Sequence, residues 1–351
     1  MSGTKNILII RLSAMGDVAM TVPLLKALVA QYPGVKVTVL SKAFFKPFFD
    51  DIPRTAFFAA DVNGKHEGFF GLLKLFGELR ALHIDAVADF HNVLRSKIIT
   101  RLFALTGKRT ATTDKARKEK KTLTRAENKI FRQLTPIVER HLQTLTKLGY
   151  PVDLSKALFP DPKPLSNEAA VIAGNKSGHW IGIAPFAQHQ GKVYPQGLMQ
   201  EVIDLLAERP GYTLFLFGGG AAETALLEQF AQGRANVIVT AGKLKLQQEL
   251  SLISHLDLML SMDSGNAHMA AIFGIKVITL WGATHPYAGF APFGQPLDYT
   301  LTADREKYPL LPTSIYGNKI VEGYEDAMRT ITPQTVVGKI SGILGRLFDS
   351  K

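Results

Sequence analysis

ILIIRLSAMGD, residues 7–17, begins as an apolar run typical of a buried strand and ends at a glycine followed by an aspartate. A Rossmann cofactor site would place G-x-G-x-x-G here, so that the backbone could approach a pyrophosphate. Gly16 is the only glycine present. The stretch therefore predicts a strand-to-helix turn without a dinucleotide fingerprint, and it leaves Arg11 and Asp17 at the end of the strand to be explained.

Length and composition predict two domains. The chain has 351 residues, of which 46% are hydrophobic, and single cores usually stop growing at about 250–300 residues. The first residues, MSGTKN, do not resemble a secretory signal, and no apolar run reaches the roughly 20 residues that span a bilayer. Cysteine is absent, which excludes disulfides and thiolate metal sites. We expect a soluble cytoplasmic protein.

Positive charge is concentrated in one segment. The chain carries 41 Lys and Arg against 30 Asp and Glu, a formal charge of +11. Residues 107–132 alone contain ten basic and three acidic residues. This segment is either a solvated loop or helix face, or a docking patch for phosphate groups on nucleic acid, lipid or substrate.

Short runs rich in β-branched residues alternate with helical patterns along the chain. The runs are KNILIIRL, KVTVLS, AVADF, WIGIAPF, TLFLFGG, NVIVTAG, LDLMLSMD and KVITLWG. The alternation predicts an α/β fold with a parallel sheet in each half, and helices are predicted over 21–31 and 195–209. The proline-rich stretch at 159–170 predicts a linker, which gives domains 1–165 and 166–332. The remaining residues, 333–351, contain an amphipathic helix with Thr332 as N-cap, which we expect to pack back on the first domain.

Two turns in the second half suit a diphosphate, because ligands of open parallel sheets bind beyond the carboxyl ends of the strands. Asp263, Ser264 and Gly265 follow LDLMLSM and begin a helix that contains His268. The first N–H groups and the dipole of such a helix attract phosphate. Lys192, after the strand ending in APF, adds a mobile positive charge. The alternatives are a helix cap, a core histidine and a surface lysine.

A third turn in this half suits a nucleoside. Gly218 begins a run of three glycines against which a flat ring can lie, and Glu223 can accept hydrogen bonds from a ribose diol. The alternative is an ordinary turn in which Glu223 favours the start of the helix. Neither a Walker A motif nor a pair of carboxylates at metal-ligand spacing is present. We therefore expect no cofactor and no metal.

Asp17 in the first half is either a helix cap or a general base. A sugar transfer with inversion needs one carboxylate to accept the proton of the acceptor hydroxyl. A helix start keeps Asp17 ionised but makes it a weaker base. Arg11 and Arg95, on neighbouring strand ends, can hold an acidic acceptor, or form an ion pair, for example with Asp89.

These motifs together resemble one enzyme family. ILIIRLSAMGDVAMTVPLLKAL and LDLMLSMDSGNAHMAAIFGIKVITLWGATHP are similar to the corresponding segments of the ADP-heptose:lipopolysaccharide heptosyltransferases, and the resemblance covers nearly the whole chain. It implies the GT-B fold, in which two Rossmann-like domains face a cleft. The acceptor side then belongs to the N-terminal domain, and the ADP-sugar side belongs to the C-terminal domain.

The resemblance also implies roles for single residues. Asp17 corresponds to the family's general base and Lys192 to its phosphate-contacting lysine. Arg95 stands where relatives have a basic residue that faces the acidic Kdo sugar. The remaining donor positions are Gly218, Glu223, Asp263, Ser264, Gly265 and His268.

The chain departs from the family pattern at two places. Relatives carry threonines before the phosphate lysine, where this chain has Ala187 and Gln188. Relatives also have cysteines in the region matching residues 308–328, and this chain has none. The resemblance therefore says least about that segment.

The leading hypothesis is an inverting heptosyltransferase that uses ADP-heptose and an acidic lipopolysaccharide-core acceptor, Kdo or the first heptose on lipid A. Residues 107–132 would hold it at the anionic inner face of the cytoplasmic membrane. The alternatives are a transferase for another nucleotide sugar, a nicotinamide-dependent oxidoreductase and a nucleic-acid-binding protein. The missing glycine fingerprint and the missing nucleic-acid motif argue against the last two.

Overall fold

The structure is a computed structural model that describes residues 5–155, 159–319 and 321–348. The chain forms two compact units. Unit 1 consists of residues 1–116 and 135–159, and unit 2 consists of residues 117–134 and 160–351. None of the helices in the described ranges has the length and apolarity that crossing a membrane requires.

Eleven strands and twelve α-helices are present in the described residues. The strands are β1 Lys5–Ile10, β2 Val35–Ser41, β3 Thr55–Ala59, β4 Ala86–Asp89, β5 Arg109–Thr112, β6 His179–Ala184, β7 Tyr212–Leu216, β8 Val237–Val239, β9 Leu258–Met262, β10 Lys276–Trp281 and β11 Thr300–Thr302. The helices are α1 Met15–Ala19, α2 Val22–Gln31, α3 Gly68–Arg80, α4 Leu94–Leu105, α5 Arg117–Thr124, α6 Ile137–Lys147, α7 Asn167–Ala173, α8 Gln196–Ala207, α9 Gly220–Ala231, α10 Leu246–Ile253, α11 Gly265–Ala271 and α12 Pro333–Phe348.

Unit 1 is built on a parallel five-stranded sheet, sheet 1, in the order β3-β2-β1-β4-β5. The apolar run of β1 pairs with β2 on one side and β4 on the other, and its side chains from Ile7 to Ile10 are fully buried. Since both neighbours are parallel, helices must cover both faces, which explains why the strand is apolar throughout. The order of the strands reverses between β1 and β4.

Unit 2 repeats this plan with a sheet of six parallel strands, sheet 2, in the order β11-β10-β9-β6-β7-β8. Its order reverses between β6 and β9. Two parallel sheets confirm the predicted α/β class, and all eight predicted runs form strands. The three short strands β3, β5 and β11 were not predicted. β5 and β11 are partly exposed and lack a sustained apolar run, whereas β3 is partly exposed but apolar over residues 56–59 and was missed.

The last helix lies in unit 2, not on the first domain as we expected. Val336, Ile340 and Leu344 are buried in the apolar core of unit 2, and α12 packs against α8. The predicted cap is present, because the hydroxyl of Thr332 accepts a hydrogen bond from the N–H of Thr335 at 3.2 Å. An amphipathic pattern identifies the buried face of a helix but not the surface that covers it.

The basic segment 107–132 is not one solvated patch. Its first part, through residue 116, belongs to unit 1, whereas residues 117–132 pack in unit 2. Lys120 is buried with its ammonium 4.1 Å from the ring centroid of Phe290. Lys129 donates hydrogen bonds to the carbonyls of Leu123 and Pro312 at 3.0 and 2.7 Å. Burial, together with the Arg305 guanidinium, lowers the pKa of Lys129 to about 8.

Candidate active site

The first candidate cluster lies where the strand order of sheet 1 reverses. Crossovers diverge on either side of such a point and leave a crevice at the carboxyl ends of the strands. Arg11 follows β1, and its guanidinium forms an ion pair with Oδ2 of Asp17 in the first turn of α1. The Arg11 side chain is 7% exposed and that of Asp17 is 23% exposed, so the carboxylate is the member that reaches solvent.

Strand pairing determines the surroundings of Arg11. Ile10 pairs with Asp89, so the residues after β1 and β4 lie side by side. Arg11 Nη1 donates to the carbonyl of Phe90 at 2.8 Å, and the N–H of Leu12 points to Nδ1 of His91 at 3.4 Å. The ion pair with Asp89, the alternative considered for the arginines, is not formed by Arg11.

Asp89 and His91 are both buried. The Asp89 carboxylate accepts hydrogen bonds from the N–H groups of His91 and Asn92 at 2.9 and 2.8 Å, and from the hydroxyl of Ser96 at 3.0 Å. Burial nevertheless raises the pKa of Asp89. Burial, reinforced by the nearby charge of Arg11, lowers the pKa of His91 to about 3, so this imidazole is neutral at physiological pH. His91 was not among the predicted site residues, although it directly follows a predicted strand.

Asp17 also contacts the start of its own helix. Its Oδ2 lies 3.4 Å from the N–H of Ala14, which is longer than an ordinary N–H···O hydrogen bond. The capping alternative therefore has a weak contact in its favour, and the ion pair with Arg11 is the stronger interaction. Arg95 is an exposed side chain in the first turn of α4.

The second candidate cluster lies where the strand order of sheet 2 reverses. Lys192 ends a short turn after β6, and its Nζ lies 2.8 Å from Oδ2 of Asp263, which follows β9. The same oxygen accepts a hydrogen bond from the hydroxyl of Thr284 at 2.9 Å. Thr284 follows β10 and is 2% exposed. It was not predicted as a site residue, although it stands in the WGATHP stretch that carries the family resemblance.

The tail, described at residues 308–319 and 321–328, packs against the turn that carries Lys192 through Gly317. A Cβ placed on Gly317 would lie 2.4 Å from Cγ of Lys192, and one on Gly191 would lie 2.7 Å from the carbonyl oxygen of Gly317. Both glycines are therefore required by close approach. The tail thus fixes the path of the Lys192 side chain, a role that the family resemblance did not provide.

The helix start beside Asp263 is partly as predicted. Gly265 is the first residue of α11, and His268 is buried one turn later. Ser264 occupies the N-cap position, but its side chain does not cap the helix. Its hydroxyl instead lies 3.0 Å from that of Ser261. The capping alternative for Ser264 is therefore not what the structure shows.

The glycine turn after β7 holds Glu223 against its own backbone. Oε2 of Glu223 accepts a hydrogen bond from the N–H of Gly219 at 2.7 Å, at the start of α9. A Cβ on Gly218 would lie 3.2 Å from the same oxygen, so the glycine allows this contact. The contact matches the helix-start alternative for Glu223. Binding of a ribose by this carboxylate stays a prediction.

The family to which the chain belongs follows from a comparison with known proteins. Residues 72–310 match the family described as glycosyltransferase family 9 (heptosyltransferase), which is more than half of the chain. The chain belongs to glycosyltransferase family 9. It is therefore a glycosyltransferase, and the resemblance inferred from the motifs is confirmed. Arg11 and Asp17 precede the matched range.

Family 9 relatives of known function are similar over most of their length. Lipopolysaccharide heptosyltransferase 3 of Escherichia coli is 27% identical over an alignment of 285 positions, gaps included, that covers 77% of this chain and 81% of the relative. Lipopolysaccharide heptosyltransferase 2 of Escherichia coli K12 is 25% identical over an alignment of 361 positions, gaps included, that covers 97% of this chain and 98% of the relative.

Solved structures of family 9 members share the fold. The family 9 glycosyltransferase of Veillonella parvula has a TM-score of 0.77 at 18% identity, with 99% of both chains covered. Escherichia coli heptosyltransferase WaaC, solved with ADP, has a TM-score of 0.68 at 20% identity, with 96% of this chain and 99% of WaaC covered. These similarities confirm the predicted GT-B fold class.

We expect the His91→Asn variant to resist acid better than the wild type. With a pKa of about 3 in the folded protein against 6.5 ordinarily, His91 takes up a proton on unfolding between these pH values. Folding stability therefore falls as pH decreases through this window, by at most about 1.4 kcal/mol per pH unit for one group. Asparagine keeps an acceptor for the N–H of Leu12 but does not titrate.

The effect is measured by hydrogen exchange of the β1 amides from pH 6.5 to pH 4.5. Tryptophan fluorescence would report on unit 2, because Trp180 and Trp281 both lie there, whereas the β1 amides report on unit 1. A pH dependence equal to that of the wild type would show that His91 does not contribute.

Proposed function

We propose that this family 9 enzyme transfers a heptose from ADP-heptose to the inner core of lipopolysaccharide, with inversion at the anomeric carbon. The main support is the ammonium of Lys192, held by Asp263 at the point where the strand order of sheet 2 reverses. Heptosyltransferases 2 and 3 among the relatives, and a relative solved with ADP, support the donor and the acceptor class. The acceptor sugar is Kdo or the first heptose on lipid A.

Lys192 is proposed to bind the diphosphate of the donor. Its side chain is 16% exposed, and Asp263, at 8%, keeps the ammonium in place before the donor arrives. A carboxylate repels phosphate, so we assign Asp263 to positioning Lys192 and not to contacting the diphosphate itself. Thr284 holds Asp263 in turn. Ser264, Gly265 and His268 line the same strand ends and are proposed to complete the donor site.

Asp17 is proposed to be the general base. The acceptor hydroxyl oxygen attacks the anomeric carbon while the bond from this carbon to the diphosphate oxygen breaks, and the bonding electrons leave with ADP. The hydroxyl proton passes to Asp17. Both contacts described for this carboxylate use Oδ2, so we assign proton acceptance to Oδ1. Arg11 then orients the base, while the exposed Arg95 is the candidate for the acidic acceptor sugar.

Stabilisation of the departing ADP is proposed to be the larger contribution to catalysis. A single preorganised donor can contribute about 3 kcal/mol to the stability of a transition state. The Asp17 carboxylate is already engaged by Arg11 through Oδ2, so proton acceptance is assigned to one oxygen only. No step is assigned to a metal or cofactor, and we place the enzyme at the cytoplasmic face of the inner membrane. An oxidoreductase has no support now that the family is known.

The donor is tested by a screen of nucleotide sugars with a Kdo–lipid A acceptor, read by release of ADP or another nucleoside diphosphate. The proposal expects release with ADP-heptose. Preferential turnover of a different nucleotide sugar would favour the alternative transferase.

Replacement of Asp17 separates the base from the cap. We expect Asp17→Asn to lower turnover at least about 100-fold, because asparagine cannot accept the proton. Asparagine can still accept a hydrogen bond from the N–H of Ala14. Donor affinity, measured by calorimetry, is expected to change little. The melting temperature is expected to fall because Arg11 loses its anionic partner, so turnover is measured well below it. Near-normal turnover of this variant would show that Asp17 acts only as a cap.

Replacement of Lys192 tests the diphosphate contact. We expect Lys192→Ala to weaken ADP binding at least about tenfold in calorimetry, since a charge-assisted contact to phosphate contributes roughly 1.5–3 kcal/mol. Lys243→Ala is the matched control, because Lys243 is an exposed lysine of the same unit that pairs with Glu228. An ADP dissociation constant equal to that of the control would contradict the role of Lys192.

The tail offers a second, independent test of the Lys192 position. In Gly317→Ala the new methyl group overlaps the Lys192 side chain, so the ammonium must move and ADP binding should weaken severalfold. Gly323→Ala is the control, because Gly323 has the same φ of +78° with nothing within 4 Å of its Cβ position. Both variants place alanine at the same positive φ. Equal ADP affinity in the two variants would show that the tail does not position Lys192.

A further inference from the structure

Two neighbouring helices of unit 1 expose apolar side chains that the proposed reaction does not use. α3 and α4 pack together through Phe76 and Phe103, whose ring centroids are 5.0 Å apart. Their inner faces fill the core of the unit with Leu72, Leu75, Leu79, Ile99 and Phe103. Their outer faces carry side chains with large exposed fractions: Phe69 59%, Phe70 84%, Leu73 36%, Leu94 75% and Leu105 84%.

The exposed apolar residues form stripes and are not scattered. On α3, Phe70, Leu73 and Lys74 are three and four residues apart and lie on one face of the helix. On α4, the exposed Leu94 and Arg101 are seven residues apart, and Leu105 follows four residues later on the same side. We call these two stripes together the α3–α4 face. Each stripe contains apolar side chains and one basic side chain, Lys74 on α3 and Arg101 on α4.

The α3–α4 face is strongly basic. The two helices contain five basic residues and one acidic residue. The acid, Glu78, is paired with Lys65 and His66 at 3.2 Å each. Lys74 and Arg101 are exposed within the stripes. Exposed aromatic and aliphatic side chains among cations are typical of surfaces that lie in the interface of an anionic membrane.

The α3–α4 face begins at the edge of sheet 1 that carries Asp17. α3 follows β3 and α4 follows β4, so their first turns lie at the carboxyl ends of these parallel strands. Phe69, Phe70 and Leu94 stand in these first turns. Asp17 follows β1 at the same edge. A membrane contact on this face would bring an acceptor attached to a lipid close to the proposed base.

We propose that the α3–α4 face docks on an anionic lipid bilayer, with Phe70, Leu73, Leu94 and Leu105 in the interface and Lys74 and Arg101 against the headgroups. The proposal rests on the proposed function, because that function supplies the lipid-linked acceptor. The positive charge favours a lipid surface over a second copy of this chain, since two such faces repel each other. Segment 107–132 also exposes basic side chains, but it is less suited to this contact, because Ile130 is the only large apolar side chain exposed within residues 107–132.

The experiment measures cosedimentation of the full chain with vesicles of phosphatidylcholine, with and without phosphatidylglycerol. The wild type is expected to bind the anionic vesicles. The double variant Phe70→Ser, Leu105→Ser is expected to lose binding at least about tenfold. Val171→Ser is the matched control, because Val171 is 85% exposed on a helix of unit 2. Lys74→Gln with Arg101→Gln is expected to remove the preference for phosphatidylglycerol.

Equal vesicle binding by the wild type and the double serine variant would overturn the proposal. A concentration-dependent dimer of the wild type that the same substitutions abolish would overturn it as well, in favour of self-association. Transfer to a soluble, deacylated acceptor separates this proposal from the proposed function. The double serine variant should retain that transfer fully. If neither the wild type nor the double serine variant uses ADP-heptose with this acceptor, the proposed function fails. Vesicle binding still tests whether the α3–α4 face docks on the bilayer.

Discussion

The winding of the two parallel sheets is the constraint on which both candidate clusters depend. In each sheet the chain proceeds outward in one direction, returns to the first strand and then proceeds in the other direction. Helices on the two sides diverge at this point, so a crevice forms at the carboxyl ends of the two central strands. Arg11 and His91 occupy this position in unit 1, and Lys192 and Asp263 occupy it in unit 2. The same plan thus produces a place for a ligand twice.

Each of these places contains a charge that is mostly removed from water, and such a charge must be paired. Arg11 is paired with Asp17, and Lys192 is paired with Asp263. Each pair can attract by about 4 kcal/mol at an effective dielectric constant of 20, which offsets part of the cost of burial. The pairing has a chemical consequence in the proposed reaction. A donor diphosphate must share Lys192 with Asp263, and the base works as a carboxylate that an arginine already stabilises.

The sequence is sufficient to predict strand positions and the turns that follow them, because buried parallel strands are nearly continuous apolar runs. It is insufficient to identify side-chain partners. Glu223 and Lys192 stand at similar turns, yet Glu223 binds its own backbone, whereas Lys192 reaches across to a residue 71 positions later. Thr284 could be found only after Asp263 was known to need a partner. The contact between the tail and Lys192 could not be predicted either, because Gly317 makes it possible by having no side chain.

The sequence is also insufficient to predict which charged side chains are exposed. A run of basic residues in the sequence appears to be the surface that an anionic partner would recognise, but a lysine whose stem and ammonium are enclosed by carbonyls or an aromatic ring is part of the core. Lys120 is such a residue, and Lys129 is half-buried with its ammonium bonded to two carbonyls. On α3 and α4 the basic residues are fewer, yet Lys74 and Arg101 stand exposed beside exposed apolar side chains. Attraction to a membrane depends on the charge and apolar surface that remain in contact with water, and therefore on the fold more than on the count of basic residues.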